Sequence, residues 1–303
     1  MAARELVILG SSSQVPTRYR NHNGYALRWD DDVILFDPGE GTQRQLALAH
    51  VSVPAITMIC ITHFHGDHCL GLPGVLGRFG LDRVRHPVDL YYPASGEEYL
   101  ERLRHAAVMD EWTLLRTHPV DTDGLVVDRG GFTLHAARLD HSTEAYGWRI
   151  VEPDGRRMLP DRLDALGVEG KAVGRLQREG AIAVGGHTVT VEEVSEPRPG
   201  QHFAFVMDTG LCDGARTLAD HADLFVCEST FLDSERDLAA SYRHLTARQA
   251  AEIARDAHAR RLVLTHFSQR YPNEDDFLQE ARAVFPDVVA ARDFMTVPVP
   301  ARL

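Results

Sequence analysis

The chain has 303 residues, 44% of them hydrophobic, and carries 32 Lys and Arg against 44 Asp and Glu, for a formal net charge of -12. This composition is typical of a globular protein with a large buried core, and its acidity argues against nonspecific attraction to nucleic acid or anionic membranes. No stretch approaches the roughly 18 consecutive apolar residues of a membrane span, and the amino terminus lacks a basic region followed by an apolar one, so we expect a cytoplasmic protein.

Short apolar runs that end in polar residues recur along the chain and predict the strands of a layered α/β protein. In chain order, the runs span Leu6–Leu9, Val33–Phe36, Ile56–Ile61, Phe132–Leu139, Phe203–Met207, Leu224–Cys227 and Leu262–Thr265. The last four lead directly into carboxylate or imidazole side chains, which are Asp140 with His141, Asp208, Glu228 and His266. Layered α/β proteins place functional groups at strand ends, so these side chains are candidates for one shared site.

Helical patterns lie between some of these strands. They span Gly66–Phe79, Gly96–His105, Thr246–His258 and Asp275–Phe285. Thr246 is predicted to cap the third of these helices, with Gln249 three residues later completing a capping box. Two β-rich halves with helices outside them predict an α/β fold, a four-layer αββα sandwich over residues 1–303.

The run Thr62–His68, which reads Thr-His-Phe-His-Gly-Asp-His, places three imidazoles and a carboxylate within six residues. Such a group is costly to bury unless a metal ion binds it. A strand followed by a tight turn aims His63 and His65 to one side, whereas Asp67 and His68 begin the next segment, so the arrangement favours two ions over one. Imidazole and carboxylate ligands favour zinc first, with manganese or iron as alternatives.

The four cysteines are Cys60, Cys69, Cys212 and Cys227, and none of them forms a Cys-x-x-Cys pair. Three lie in or beside apolar runs, where a thiol packs as a small hydrophobic side chain. We therefore expect reduced cysteines in the core.

The segment 152–200, called the arm below, is rich in Gly, Pro and charged residues and is broken by turn signals at 153–155 and 197–200. Several acids stand among its basic side chains, which include Arg156, Arg157, Arg162, Lys171, Arg175 and Arg178. We predict an insertion, for which two interpretations stand side by side: a solvated excursion, or an arm that grips the substrate.

With these side chains placed, the chain resembles the metallo-β-lactamase superfamily, and within it the ribonuclease Z family of endonucleases that remove 3′ trailers from precursor tRNA. The segments that carry the resemblance are Pro16–Asn21, Phe36–Gln43, the histidine run continued by Gly71–Gly74, Leu139–Ser142, Met207–Thr209 and Leu264–Tyr271. The histidine run alone is typical of the superfamily, whereas the Gly-Leu-Pro-Gly continuation and the Thr-His-Phe-Ser-Gln-Arg-Tyr run narrow the resemblance. It extends along essentially the whole chain and implies a two-metal site between the two sheets of the sandwich.

The resemblance implies two zinc ions per subunit, each held by three side chains of its own and one that is shared. The first ion's ligands would be His63, His65 and His141, and the second ion's would be Asp67, His68 and His266. Asp208 would bridge the two ions. Each ion keeps room for a shared water, which makes the site catalytic in type.

The resemblance also implies the catalytic roles of three side chains. Asp67 would orient the attacking hydroxide or take its proton, in addition to binding metal. His244 would help to protonate the leaving 3′ oxygen, and Glu228 would orient the imidazole and hold its charge. The reaction would be in-line attack of hydroxide on phosphorus.

Precursor tRNA is the substrate that the resemblance implies, and the arm occupies the place of the family's tRNA-binding exosite. Residues Gly167–Lys171 stand where the family carries a Gly-Pro pair. A homodimer is also implied, because the arm in this family serves the partner subunit.

Two alternatives accompany this interpretation. The first keeps the site and changes the substrate, giving another phosphodiesterase or small-ester hydrolase of the superfamily; the altered arm and the acidic surface favour it. The second is a noncatalytic RNA-binding or scaffold protein with a structural metal site. The complete ligand set argues against the second, because lost catalysis first shows as lost ligands.

Overall fold

The computed structural model describes residues 4–108 and 114–302, and these fall into two compact units. The main unit comprises the described residues up to 150 together with 202–300. The arm unit comprises residues 151–201 together with 301 and 302.

The first half of the main unit alternates short strands with helices. Its strands are β1 (Glu5–Gly10), β2 (Gly24–Trp29), β3 (Asp32–Phe36), β4 (Ile56–Cys60), β5 (Val88–Pro93), β6 (Leu115–Val120), β7 (Gly124–Asp128), β8 (Thr133–Arg138) and β9 (Tyr146–Val151). Its helices are α1 (Thr42–Leu48), α2 (Gly66–Cys69), α3 (Leu72–Leu81) and α4 (Glu97–Arg104).

The arm unit follows in the chain, and the second half of the main unit comes after it. The arm unit contains β10 (Gly155–Met158), α5 (Pro160–Ala165), α6 (Lys171–Glu179), β11 (Ala181–Val184), β12 (His187–Thr190) and β13 (Ser195–Arg198). The main unit then adds β14 (His202–Val206), α7 (Asp213–Ala219), β15 (Leu224–Glu228), α8 (Arg236–Tyr242), α9 (Ala247–Asp256), β16 (Leu262–Thr265), α10 (Asp275–Arg282), β17 (Val288–Ala290) and β18 (Thr296–Pro298).

Within the described ranges, the strands of the main unit form two seven-stranded sheets, in the orders β18-β1-β2-β3-β4-β5-β6 and β17-β16-β15-β14-β9-β8-β7. Strands β3 to β6 are parallel, as are β14 to β17. Because parallel strands end at the same edge of a sheet, the polar residues after β3 and β4 share one edge. Those after β14, β15 and β16 share an edge of the other sheet.

The core between the two sheets is aromatic. Tyr25 of β2 packs edge-on against Phe205 of β14 with ring centroids 5.1 Å apart, and Phe36 of β3 stacks on the same ring at 4.7 Å. All three side chains are fully buried. The sheets therefore face each other and bury a single core between them.

The outer faces of both sheets are also apolar, because helices cover them. Val7 and Leu9 of β1 cluster with Leu72 and Phe79 of α3, whereas the alternate residues of β1 face the other sheet. On the second sheet, α9 packs on β15 and β16, and α7 packs on β14. This is the predicted αββα sandwich, and burial on both faces explains why its strands read as continuous apolar runs.

The arm unit has a small core of its own. Strands β10 and β13 form one antiparallel pair, and β11 and β12 form another. Helices α5 and α6 lie between β10 and β11 in the chain. A cluster of apolar side chains joins these elements, formed by Leu163, Val168, Leu176, Ile182, Val189, Val191 and Val194. Glu152 also binds Arg302, with its Oε2 2.7 Å from the guanidinium, so the last described residues belong to this unit.

The predicted strands and helices recur with ends shifted by a few residues, with one correction. The single helix predicted over Gly66–Phe79 is wrong: the structure has α2 and α3 with a break at Leu70 and Gly71. A Cβ on Gly71 would lie 1.9 Å from the carbonyl oxygen of Gly39, and the Gly71 N–H donates to the carbonyl of Pro38 at 2.8 Å. This close approach, together with Pro73 at the start of α3, stops the first helix.

Two further predictions are confirmed. Thr246 caps α9, its side chain accepts from the Gln249 N–H, and the reciprocal bond of the capping box is present. The four cysteines are free thiols, three of them buried. None of the helices in the described ranges combines the length and the apolar character needed to cross a membrane.

Candidate metal centre

The histidine run lies at the edge of the first sheet, immediately after β4. His63 is fully buried in the loop that follows the strand. Asp67 and His68 lie in the single turn of α2, where they are 6% and 0% exposed. The short helix therefore turns the second pair of side chains away from the first.

One group of candidate ligands gathers around Oδ2 of Asp208. Nε2 of His63 lies 3.0 Å from Nδ1 of His65, which lies 3.2 Å from Nε2 of His141. The same Asp208 oxygen is 3.6 Å from the His63 nitrogen and 3.7 Å from the His141 nitrogen. Four atoms thus surround one point.

A second group gathers around the other oxygen of Asp208. Its Oδ1 is 3.3 Å from Nε2 of His68 and 3.0 Å from Nε2 of His266. Oδ2 of Asp67 lies 3.3 Å from the first of these nitrogens and 3.5 Å from the second. Asp208 thus contributes one carboxylate oxygen to each group.

These spacings fit metal ions rather than a hydrogen-bonded cluster. Tetrahedral zinc with bonds of about 2.0–2.1 Å separates neighbouring ligand atoms by roughly 3.3 Å, close to the distances in both groups. Asp208 Oδ1 and His266 Nε2 are buried and, within the described chain, have no hydrogen-bond partner. Buried polar atoms rarely stay unsatisfied, so the donor set has the chemistry and spacing of two cation sites.

Burial keeps three of the imidazoles in the form that binds metal. It lowers the pKa of His63, where the neighbouring His68 adds to the effect, and it also lowers the pKa values of His65 and His141. A neutral imidazole offers a lone pair to a metal ion, whereas a protonated one does not. The first group is therefore poised for binding at neutral pH.

The carboxylates of the centre are ionised. Burial raises the pKa of Asp208, but the adjacent His266 and His68 imidazoles outweigh it and hold that pKa well below its usual range. For Asp67, burial is likewise outweighed by His68 and His266, and the net pKa is lowered. Two negative charges held in a buried site attract cations.

His68 is oriented from behind by a carboxylate that the sequence did not assign. Its Nδ1 donates to Oδ2 of Asp37 at 2.8 Å, and that carboxylate also accepts from the Thr62 N–H and hydroxyl, each at 2.7 Å. Burial lowers the pKa of His68, but Asp208, Asp67 and Asp37 outweigh it and raise the net pKa. Carboxylate partners of this kind fix the ring of a metal-binding histidine.

The backbone is strained where the strands deliver these residues. Asp37, Asp208 and His266 have φ values of 42°, 34° and 62°, in the left-handed region that side chains other than glycine rarely adopt. Each follows a parallel strand, β3, β14 or β16. Strain at functional positions persists only when the surrounding fold over-determines it.

Glu228 and His244 form a pair beside the second group. Nδ1 of His244 donates to Oε1 of Glu228 at 2.8 Å, and the ring centroid of His244 lies 5.4 Å from those of His141 and His266. Burial lowers the pKa of His244, but the Glu228 carboxylate outweighs it and raises the net pKa to about 9. The imidazole is therefore protonated at neutral pH and can donate a proton into the site.

A cavity of about 560 Å³ leads to this centre. Candidate ligands and residues from neighbouring segments line it, among them His65, Asp67, His141, Asp208, His244, His266, Gln14, Arg243 and Arg270. Arg243 donates from its guanidinium to the carbonyl of His141 at 2.7 Å. The volume suits a nucleotide-sized group. Both arginines are paired with carboxylates, Arg243 with Asp140 at 3.4 Å and Arg270 with Glu235 at 2.7 Å.

Every site residue named from the sequence lies in this one region, and the ligand assignments themselves remain a prediction. Sequence reasoning gave no role to Asp37, Thr230 or Arg243. Asp37 stands at a strand end, which was an available signal. Thr230 and Arg243 belong to no metal-ligand motif in the sequence. Only their contacts in the structure show that they lie at the site.

Comparisons with known proteins give a consistent result. A model described as the metallo-beta-lactamase superfamily matches residues 17–266. The chain is 59% identical over 303 residues to the ribonuclease Z of Salinispora arenicola, covering 100% of this chain and 98% of the relative, and 58% identical to that of Nocardia farcinica with 100% of each covered. Among solved structures, it is similar to the short form of human tRNase Z, with 28% identity, a TM-score of 0.70, and 98% of this chain and 100% of that chain covered.

Proposed function

This chain belongs to the metallo-β-lactamase superfamily and to its ribonuclease Z family, and from that premise we propose that it removes 3′ trailers from precursor tRNA with two zinc ions bound by the His/Asp centre. Family membership makes it an endoribonuclease that processes tRNA by hydrolysing phosphodiester bonds. The proposal adds the metal, its stoichiometry and the role of each side chain.

The two-ion proposal rests on Asp208, because its two carboxylate oxygens face different groups of candidate ligands. Its oxygens point to separate sets of nitrogen and oxygen atoms at 3.0–3.7 Å. One carboxylate cannot serve both sets through a single ion at bonding distance. We assign His63, His65 and His141 to the first ion and Asp67, His68 and His266 to the second, with Asp208 bridging.

The reaction then follows from the protein's own groups. Zinc ions held by these residues would supply Lewis acidity toward the scissile phosphate and would lower the pKa of an attacking water. Asp67 orients that water and accepts its proton. As the new oxygen–phosphorus bond forms and the bond to the 3′ oxygen breaks, protonated His244 donates its proton to the leaving oxygen, and Glu228 keeps the ring oriented.

The arm is proposed to contact the tRNA body. Exposed Lys171, Arg175 and Arg178 lie on α6, while its buried Leu176 packs into the core of the arm unit. Gly167 and Gly170, both with positive φ, form the turn between α5 and α6. Guanidinium and ammonium groups on one helix suit contacts to phosphates that do not depend on base sequence.

A pair of substrates tests the proposed function. Zinc-loaded protein should cleave a precursor tRNA that carries a 3′ trailer, and the released trailer should bear a 5′ phosphate. Asp67→Ala should abolish this cleavage. Asp213→Ala is the matched control, because that carboxylate is exposed and, among the described residues, forms its ion pair with Arg216 at 3.3 Å. Turnover of a small chromogenic phosphodiester without cleavage of tRNA would support the small-ester alternative instead. Inactivity on both would support the scaffold alternative.

The arm has its own test. Met158 and Ser195 are partners in the β10–β13 pair, so residues 159–194 can be replaced by an Asn-Gly turn that preserves the ladder. The variant should keep its rate on the small phosphodiester and show a higher KM for precursor tRNA. An equal loss on both substrates would contradict the assignment.

A homodimer and a cytoplasmic location complete the proposal, on the strength of the resemblance. The mass from light scattering tests the first, since a monomer of 33.7 kDa is easily distinguished from its dimer.

A further inference from the structure

Thr230 occupies a position between the second metal group and the acid pair. It lies two residues beyond β15 and is 4% exposed. Its hydroxyl oxygen is 2.7 Å from Oε2 of Glu228, 2.7 Å from Nδ1 of His266 and 3.3 Å from Nδ1 of His244. A single hydroxyl therefore contacts the side chains that serve metal binding and proton donation.

The Thr230 hydroxyl donates its one hydrogen bond to Glu228. Each oxygen of the Glu228 carboxylate already accepts from a main-chain N–H, Oε1 from Thr209 at 2.9 Å and Oε2 from Thr230 at 3.1 Å. An ionised carboxylate only accepts hydrogen bonds, so the Thr230 hydroxyl donates to Oε2. The lone pairs of the hydroxyl oxygen then face the His266 ring.

A lone pair at 2.7 Å from Nδ1 of His266 is favourable only when that nitrogen carries a proton. A neutral imidazole has one N–H, so Nε2 is then left with its lone pair. This Nε2 is one of the buried atoms without a hydrogen-bond partner in the described chain, and it lies 3.0 Å from Oδ1 of Asp208. The tautomer set by the hydroxyl is the one that binds a metal ion.

We propose that Thr230 is a positioning residue that fixes His266 in its Nδ1–H tautomer for the second ion and, through the same hydroxyl, holds Glu228 beneath His244. The inference rests on the proposed function, because it takes His266 as a ligand of the second ion. It couples metal binding to proton donation through one side chain that is itself neither a metal ligand nor the proton donor.

Thr230→Val removes the hydroxyl while preserving the shape of the side chain. We expect the second zinc ion to bind 10- to 100-fold more weakly, the usual effect of losing such an outer partner, whereas the first ion binds as in the wild type. Competition with a chromophoric chelator measures both affinities. Thr230→Ser keeps the hydroxyl and should restore the second affinity to within about threefold of wild type.

The neighbouring residue provides a matched control. Ser229 is fully buried and donates to the carbonyl of Thr265 at 3.1 Å, outside both metal groups. Ser229→Ala should leave both zinc affinities unchanged. Thermal unfolding of the metal-free proteins verifies that each variant folds, so that weak binding is not mistaken for misfolding.

Nitrogen-15 spectra of histidine-labelled, zinc-loaded protein read the tautomer directly. The wild type should show a His266 Nδ1–H proton protected from exchange, and Thr230→Val should lose that protection. An unchanged signal, an unchanged second affinity in the Val variant, or a Ser variant as weak as Val would each overturn the proposal. Failure of the proposed function would instead appear as zinc-loaded wild type that does not cleave precursor tRNA, which leaves these measurements interpretable.

Discussion

Nδ1 of His244 donates a hydrogen bond to Oε1 of Glu228 at 2.8 Å, and the accepting carboxylate is fully buried beneath the floor of the cavity. Because an ionised partner strengthens such a bond, the pair holds a protonated imidazole beside the metal groups at neutral pH.

Removal of the acid should slow the chemical step. We expect His244→Ala to lower kcat on precursor tRNA about 10²- to 10⁴-fold, the usual contribution of a positioned acid, with little change in KM. Single-turnover cleavage measures the step. A variant with wild-type kcat would contradict the assignment of His244.

The pH dependence should follow the same pair. Burial lowers the pKa of His244 and Glu228 outweighs it, giving about 9, so the required protonated form is present at neutral pH and is lost as pH rises past about 9. In Glu228→Gln the neutral amide no longer stabilises the cation, so the loss of rate should begin at a lower pH. Profiles of kcat between about pH 6 and pH 10 test this, and coincident basic limbs would refute it.

Metal removal should affect both activity and stability. Chelation should abolish cleavage of RNA and of a small phosphodiester, and two equivalents of zinc should restore both. Because ions that bind only the folded state stabilise it, the chelated protein should also unfold at a lower temperature. Asp208→Asn should reduce the bound zinc from two ions to at most one, measured by elemental analysis beside Asp213→Ala. Full occupancy in Asp208→Asn would contradict the bridging role.

The close approach behind the metal groups should be intolerant of a side chain. A Cβ on Gly39 would lie 2.1 Å from the carbonyl oxygen of Asp67 and 2.7 Å from that of Asn23. Gly39→Ala should therefore push the loop after β3 away from α2, destabilise the protein by on the order of 3 kcal/mol and weaken the second zinc ion more than the first. Gly131→Ala, where nothing lies within 4 Å of the added Cβ, is the control. Denaturant unfolding measures the loss of stability, and zinc titration measures the two zinc affinities. Equal free energies of unfolding for Gly39→Ala and Gly131→Ala would rule out the clash.

Asp293 should make stability fall with rising pH. Burial raises its pKa from 3.8 to about 6, so the folded state binds more protons than the unfolded state between those values and loses stability as pH rises through that window. Asp293→Asn removes the titration, and its stability relative to wild type should increase by up to about 3 kcal/mol from pH 4 to pH 7. Urea unfolding at both pH values measures the difference. A difference that does not change with pH would show that Asp293 does not titrate there.

Much of the fold was accessible from the sequence because its signals are local. Apolar runs ending at Asp208, Glu228 and His266 predicted strands and their polar ends, and Thr246 with Gln249 predicted the cap of α9. The helix predicted through Gly71 failed because a contact with Gly39, distant in sequence, overrides local propensity.

The sequence by itself determined the chemical inventory of this protein: which imidazoles and carboxylates stand at strand ends, and hence that a metal centre is the natural use of the histidine run. The tertiary structure decided which of those side chains come together in each of the two metal groups. Only the packing of two sheets brings each oxygen of Asp208 to a different group, places Asp37 behind His68 and sets the Thr230 hydroxyl between Glu228 and His266. Hydrogen bonds and metal coordination depend on distance and direction between residues remote in the chain, and these exist only once the core has fixed the backbone.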